Sequence, residues 1–471
     1  MRATAGIVLV LLAGCVGPIE HPAGDDSTSH EPPELLSVLA PRPVSAGDLR
    51  EREGASAISP KDPNVIAVAF NERTRMPVTQ TGTATEPILP GLLRNVVALS
   101  RDGGETWTRI VLPTADNAPP GSRWAMACWT FDPTAVIDRD GRVHATSMFI
   151  GCGGPGYGTT NGLLHAIVDE RGPGEPNVMA LGAGGIAGTF HDRQWTAYDP
   201  QNHRLGAAWT AYTGAAQRLS LVAVFSEDGG RTWTLPEDLD AGLLAAGAAN
   251  YLVHAMWDSS GDFVVSAYGC DATPPGARPF VSGRCLWQFS GQPGGPWRRS
   301  EFRYEDCPGA PAGGGFGYAN GAAASSTRYV GAAVHDRGRP VGVCVAASDD
   351  GGATWPRATY LASAAQPSLS AAPDGGVAVF HLALSGDVAT PTLVWLEPAA
   401  LSVRAERALG PAYDADTDDD GWLEHGDYEG SSVHGDAFFW MLTKPNQEGR
   451  SSGDSSNDLD IWGYRGAFAR T

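Results

Sequence analysis

The sequence predicts an all-β chain, a seven-bladed β-propeller of four-stranded antiparallel blades, with a six-bladed ring as the alternative. Three observations lead there. Turn formers are abundant: 60 Gly and 35 Pro among 471 residues, well above the usual share of roughly 12%. Three near-identical segments recur at 100–107 (SRDGGETW), 226–233 (SEDGGRTW) and 348–355 (SDDGGATW), and their aspartates Asp102, Asp228 and Asp350 lie 126 and 122 residues apart, two blade lengths. Around them the chain alternates in short β-type runs, and no stretch keeps a helical period beyond two turns. An apolar share of 42% supplies a large core, so 35–471 reads as one propeller domain.

The blades follow in chain order. Inner strand pairs are expected near 55–70, 133–150, 194–212, 252–268, 318–336, 367–385 and 428–443. The third repeat shows the pattern, with runs at 194–198, 204–212 and 219–226, the first two closed by the turn signals Asp199-Pro200 and Thr213-Gly214. Eroded copies of the recurring turn stand at 290–297 (SGQPGGPW), with Gln292 in place of the aspartate, and at 169–172, without its tryptophan. The run 457–465 supplies a third strand for the last blade, and 35–44 closes the ring as its fourth.

The chemistry of the recurring turn is structural. An aspartate side chain accepts hydrogen bonds from the amides of its own turn, glycines permit positive φ, and Trp107, Trp233 and Trp355 staple each hairpin by burying a large aromatic face. The pattern S-x-D-x-G-x-x-W resembles the Asp-box of the sialidase-like β-propellers. That resemblance implies a radial ring with the boxes in C–D turns beneath it. Function is then expected on the opposite face, where long B–C and D–A connections (74–93, 113–130, 151–161, 173–193, 235–251, 270–283, 299–317, 408–430 and 444–456) contrast with short turns such as 138–141 and 258–261.

The N-terminus bears on location. Met1-Arg2 and an apolar run to Ala13 end on Leu12-Ala13-Gly14-Cys15, which resembles a bacterial lipobox and implies cleavage before Cys15 and its lipidation. Residues 16–34 are Pro-rich and acidic and read as a flexible tether. The expected location is the bacterial cell envelope, with a lipid anchor and a monomeric body. Six further cysteines (Cys128, Cys152, Cys270, Cys285, Cys307, Cys344) suit disulfides in an exported chain. Six allow fifteen connectivities, and closeness in sequence favours 128–152, 270–285 and 307–344. A net charge of −20 excludes a nucleic-acid binder, which needs a basic surface.

The strongest local motif runs from Asp416 to Asp427 (DTDDDGWLEHGD). Asp416, Asp418 and Asp420, the glycine Gly421 and the terminal acid Asp427 fit a twelve-position calcium loop, with Trp422 offering the backbone carbonyl at position seven. The motif departs from that pattern in carrying Asp rather than Glu at its end. Ca²⁺ would stiffen the 408–430 loop. Gly426-Asp427-Tyr428-Glu429 follows directly. Matching inner-strand starts occur at Glu53, at His191-Asp192-Arg193 with Trp195, and at His254, so these side chains are candidates for one polar cluster at the channel mouth. The family resemblance implies a tyrosine nucleophile with a glutamate, an acid and arginine clamps. By residue type these are Tyr428, Glu429, Asp192 and Arg193, with Arg73 or Arg94 as further clamps, although the Arg-Ile-Pro signature is absent and Arg109-Ile110-Val111 falls in an outer strand. Gly151, Gly153 and Gly156 match a dinucleotide fingerprint only by spacing, because Pro155 and the lack of a following helix make a loop. His425-Gly-Asp427 and His434-Gly-Asp436 lack metal-ligand spacing, and no GxSxG or HExxH occurs.

Two readings stand side by side. In one, a surface lipoprotein recognises glycans on its top face and hydrolyses them as a sialidase-like exo-glycosidase. In the other, a non-catalytic propeller scaffold binds a protein or cell-envelope partner.

Overall fold

Strands are antiparallel throughout, and they assemble into seven separate sheets. The computed structural model describes residues 36–45, 50–73, 93–152, 160–183, 188–213, 218–241, 249–270, 283–336, 339–415, 430–445 and 459–469. The lipobox, the 16–34 tether and the whole of the calcium-loop motif, with Tyr428 and Glu429, lie outside the described residues. Among the described residues no helix is long and apolar enough to cross a membrane.

Each sheet is one blade, with strands in the order A-B-C-D from the axis outward. Blade three is representative: A is Thr189–Asp199, B Arg204–Thr213, C Arg218–Ser226 and D the short Glu237–Asp238. Seven sheets settle the blade number in favour of seven over six. Blade seven is built from both ends of the propeller domain. Its strands Ser431–His434, Ala437–Pro445 and Leu459–Phe468 are completed by Leu36–Val38, paired Leu36↔Phe468 to Val38↔Gly466. The expected closing strand thus exists, and Arg42–Pro43 adds a second contact to the same neighbour. Three of the sheets gain a fifth short strand, so the four-stranded plan holds with small additions.

The core explains the ring. Buried apolar side chains fall into seven clusters, one at each seam between adjacent blades. Alternate residues of one strand serve opposite seams: Ala67 and Ala69 pack toward blade two, whereas Ile66, Val68 and Phe70 pack toward blade seven. A radial sheet is therefore buried on both faces, and its B and C strands read as nearly continuous apolar runs.

The recurring turns sit between strands C and D and share one hydrogen-bond pattern. In the first, Gly104 N donates to Ser100 Oγ (2.7 Å), Ser100 Oγ donates to Asp102 Oδ1 (2.8 Å), and Thr106 N donates to Asp102 Oδ1 (2.9 Å). The second and third repeat it around Ser226 and Asp228 and around Ser348 and Asp350. Both glycines of each turn hold φ between 71° and 91°, a conformation that strains any other residue. Hydrogen bonds from Thr106 and Thr354 pull Asp102 and Asp350 down to about 2.

The tryptophans do more than close their own hairpins, because each packs on the preceding blade. Trp107 lies 5.8 Å from Phe439 of blade seven, and Trp233 5.1 Å from His165 of blade two. Trp297 of the eroded copy stacks 6.2 Å from Phe225 of blade three. Polar groups reinforce the same seams: Arg465 Nη1 donates to Gly103 O (2.8 Å) and Asn177 Nδ2 to Gly230 O (2.6 Å). The turns rivet blade to blade.

Candidate functional site

Antiparallel order puts the A–B and C–D turns at one end of the ring and the B–C and D–A connections at the other. The A–B turns are short because an aspartate closes several of them. Asp138 Oδ1 accepts from Asp140 N and Arg142 N (both 2.9 Å), and Asp258 Oδ1 accepts from Ser260 N (2.9 Å) and Asp262 N (3.0 Å). The opposite end carries the long connections, of which those after blade four and after blade one are described. There Ser122 caps a 3-10 turn at Arg123–Met126 that buries Trp124. Disulfides Cys128–Cys152 and Cys307–Cys344 form as expected, with Cα atoms 5.0 and 6.2 Å apart. The side chain of Cys270 lies outside the described residues, although register sets its neighbour Gly269 opposite Cys285.

The inner strands carry a feature that the alternation pattern did not announce. Six of the seven strand-A segments insert an extra residue at the same height, between Arg52 and Gly54, Phe131 and Thr134, Asp192 and Trp195, Tyr251 and His254, Gly317 and Asn320, and Ala365 and Ser368. Four of the inserted positions hold a non-glycine residue at positive φ: Asp132 (45°), Arg193 (53°), Tyr318 (53°) and Gln366 (48°). Left-handed conformation costs such residues roughly 1–2 kcal/mol each. All four side chains are polar. Bulges aligned around a channel re-aim side chains, and strain of this kind concentrates at functional sites.

Neighbouring blades hold the bulges in place. Asn95 of blade one donates through Nδ2 to Phe131 O (2.8 Å) and to Ser147 Oγ (2.6 Å), and its amide donates to Thr130 Oγ1 (2.8 Å). Gln194 Nε2 donates to Asp132 O, joining the bulges of blades three and two. Leu369 N donates to Asn320 Oδ1 (3.2 Å), joining blades six and five.

Sequence-predicted residues distribute unevenly over this ring. Asp192 and Arg193 sit at the bulge of blade three, partly exposed, and Glu53 occupies the bulge of blade one. His191, one residue earlier, is buried. Trp209 Nε1–H donates to its Nδ1 (2.8 Å), which selects the Nε2–H tautomer, and burial lowers its pKa. Its backbone N–H donates to Asn161 Oδ1 (3.0 Å), which ties the start of this strand to blade two. Enclosure in the channel wall pushes His254 down to about 3. Arg94 is committed to the buried Glu72, with Nη2 2.8 Å from Oε1, and Arg109 pairs with the same carboxylate. The side chain of Arg73 lies outside the described residues. Among the described residues no group of three His, Cys, Asp or Glu side chains could hold a metal.

Sequence reasoning missed Asp132, Tyr318 and Gln366. Two of them carried a signal: Asp132-Pro133 and Gln366-Pro367 place a proline inside an inner strand, which is tolerated at a bulge.

No family model and no curated protein matches the chain. Solved structures do match. A Hadza microbial sialidase aligns at 11% identity and TM-score 0.41, over 89% of this chain and 66% of that one. The NanB sialidase of Streptococcus pneumoniae aligns at 12% and 0.40, over 95% and 72%. The intramolecular trans-sialidase of Ruminococcus gnavus aligns at 15% and 0.40, over 90% and 95%. Likeness this low carries no activity across, and the propeller rests on the chain's own seven sheets.

Proposed function

We propose that this chain recognises glycans at the bulge end of its channel, as a lipoprotein exported to the bacterial envelope and held there through Cys15. One observation carries the reading: polar residues in left-handed bulges stand at a common height around one channel, cross-braced between blades. A ring of polar groups fixed before a ligand arrives loses little entropy on binding. Arg193, Asp132, Tyr318 and Gln366 would supply its donors and acceptors.

Hydrolysis is the stronger form of this reading and needs Tyr428 and Glu429 beside Asp192 and Arg193. The engagement of Arg94 by Glu72 removes one clamp for a substrate carboxylate and supports recognition over sialic-acid cleavage. Asp416, Asp418, Asp420, the Trp422 carbonyl and Asp427 would hold a structural Ca²⁺, an ion suited to such oxygen donors.

A glycan array and a fluorogenic-glycoside screen of the full chain test the proposal. Binding should fall at least tenfold in Arg193→Ala. Turnover lost in Glu429→Gln supports the enzyme, and binding without turnover supports recognition alone. No glycan bound on the array returns the chain to the scaffold reading.

A further inference from the structure

Toward the turn end, the seven inner strands enclose a second space. A cavity of about 330 Å³ extends from the level of Trp195 and His254 to the A–B turns, where Pro60, Pro200 and His434 line it. It lies apart from the bulge residues Asp132, Arg193, Tyr318 and Gln366, none of which lines it. All seven A–B turns are among the described residues.

Its wall has an unusual chemistry. Among the described residues lining it there is no Asp, Glu, Lys or Arg. Radial blades turn the free edge of each inner strand to the channel, so the wall offers backbone N–H and C=O groups outside the sheet ladders. Hydroxyls from neighbouring blades meet some of them: Ile58 N donates to Ser432 Oγ (3.0 Å) and Ser431 N to Ser368 Oγ (2.9 Å), and the Ser370 and Ser431 hydroxyls are 2.9 Å apart. The Trp195 ring packs 4.6 Å from His254. The His254 Nδ1 is buried without a hydrogen-bond partner.

We infer that this lower channel is a separate site for a neutral, polyhydroxylated molecule of monosaccharide size, entering from the turn end. An ion would leave water for a wall without a counter-charge, which is costly. A purely apolar ligand would strip water from edge amides and hydroxyls and leave them unpaired. A compact polyol satisfies both constraints, and its C–H face suits the Trp195 ring. The volume lies at the small end of ligand pockets.

The test titrates the full chain with galactose, glucose and N-acetylglucosamine, and with N-acetylneuraminic acid as the charged control. Saturation-transfer NMR and tryptophan fluorescence read the binding. One neutral sugar should saturate with a Kd of about 1 mM, the range expected for so few atoms. It should bind at least tenfold more weakly in Ala323→Trp, which obstructs the channel, and in His254→Phe, which removes the unpartnered nitrogen. Arg193→Ala, at the other end, should leave it unchanged. Should Ala323→Trp fail to fold, His254→Phe decides. The inference is overturned if none of the three neutral sugars saturates, if binding survives the decisive variants, if the acid competes equally for the same site, or if Arg193→Ala abolishes the signal. The last outcome would assign the sugar to the bulge ring instead.

Discussion

Replacing Asp228 by alanine isolates what the recurring turn contributes. Its carboxylate accepts four hydrogen bonds, from Ser226 Oγ (2.9 Å), Arg231 N (3.0 Å), Thr232 N (2.9 Å) and Thr232 Oγ1 (2.7 Å). The turn is exposed, so each bond is worth the low end of the usual range, about 0.5 kcal/mol, and the loss sums to about 2 kcal/mol. Asp228→Asn keeps Oδ1 and three of the bonds, so it should cost less than half as much. Urea unfolding of the full chain measures both, and amide exchange at Gly230 and Thr232 reports whether the turn opens locally. Asp102→Ala and Asp350→Ala should also destabilise, since their turns repeat three of those four bonds. An Asp228→Ala protein as stable as the parent would show that these bonds add nothing to the fold. So would one that keeps its stability and loses glycan binding, because the turn would then serve the ligand and not the fold.

Acid should weaken the same turns in a defined window. Asp102 and Asp350 lie at about 2 when folded against an ordinary value of 3.8. Their stabilising effect is therefore complete above about pH 4 and disappears as pH falls through 2, and Thr106→Val with Thr354→Val should flatten that part of a melting-temperature profile. His381, lowered from 6.5 to about 4 by burial, acts earlier. The unfolded chain takes up its proton below pH 6.5 while the folded chain does not, so stability declines from there toward pH 4, and His381→Gln should reduce the slope. Arg328 is buried at 3% exposure with Nε 2.9 Å from Asp258 Oδ2 and Nη2 3.3 Å from Asp262 Oδ2. Arg328→Met strands Asp258 Oδ2, whereas Asp262 Oδ2 keeps Arg298 Nη2 at 2.8 Å, and should cost about 3 kcal/mol in urea unfolding, the low end for a broken buried pair. Calcium should raise the melting temperature relative to chelator, and Asp418→Ala with Asp420→Ala should abolish the difference; equal melting with and without calcium in the parent chain speaks against the loop as a metal site.

Much of the ring was legible because radial sheets repeat their demands. The turn bearing Asp102, Asp228 and Asp350 needs the same serine, glycines and threonine wherever it occurs, so three copies announced the blade length. Seams on both faces of each sheet left apolar runs that marked the inner strands, and 35–44 was readable as the closing strand because blade seven otherwise lacked one. The bulges were harder to see. A one-residue insertion changes register without changing composition, and only Pro133 and Pro367 betrayed two of the six. The role of Trp107 and Trp233 between blades was also hidden, because partners such as Phe439 and His165 are distant in sequence. Arg94 shows the limit of residue type: sequence offered it as a clamp, and burial of Glu72 beside it decided otherwise.

Amide hydrogen exchange on the full chain, with and without a glycan selected from the array, tests the location of the ligand most directly. Protection of 189–195, 315–320 and 364–368, with 100–107, 226–233 and 348–355 unchanged, is the predicted result. Protection confined to those three tryptophan-bearing turns would contradict it.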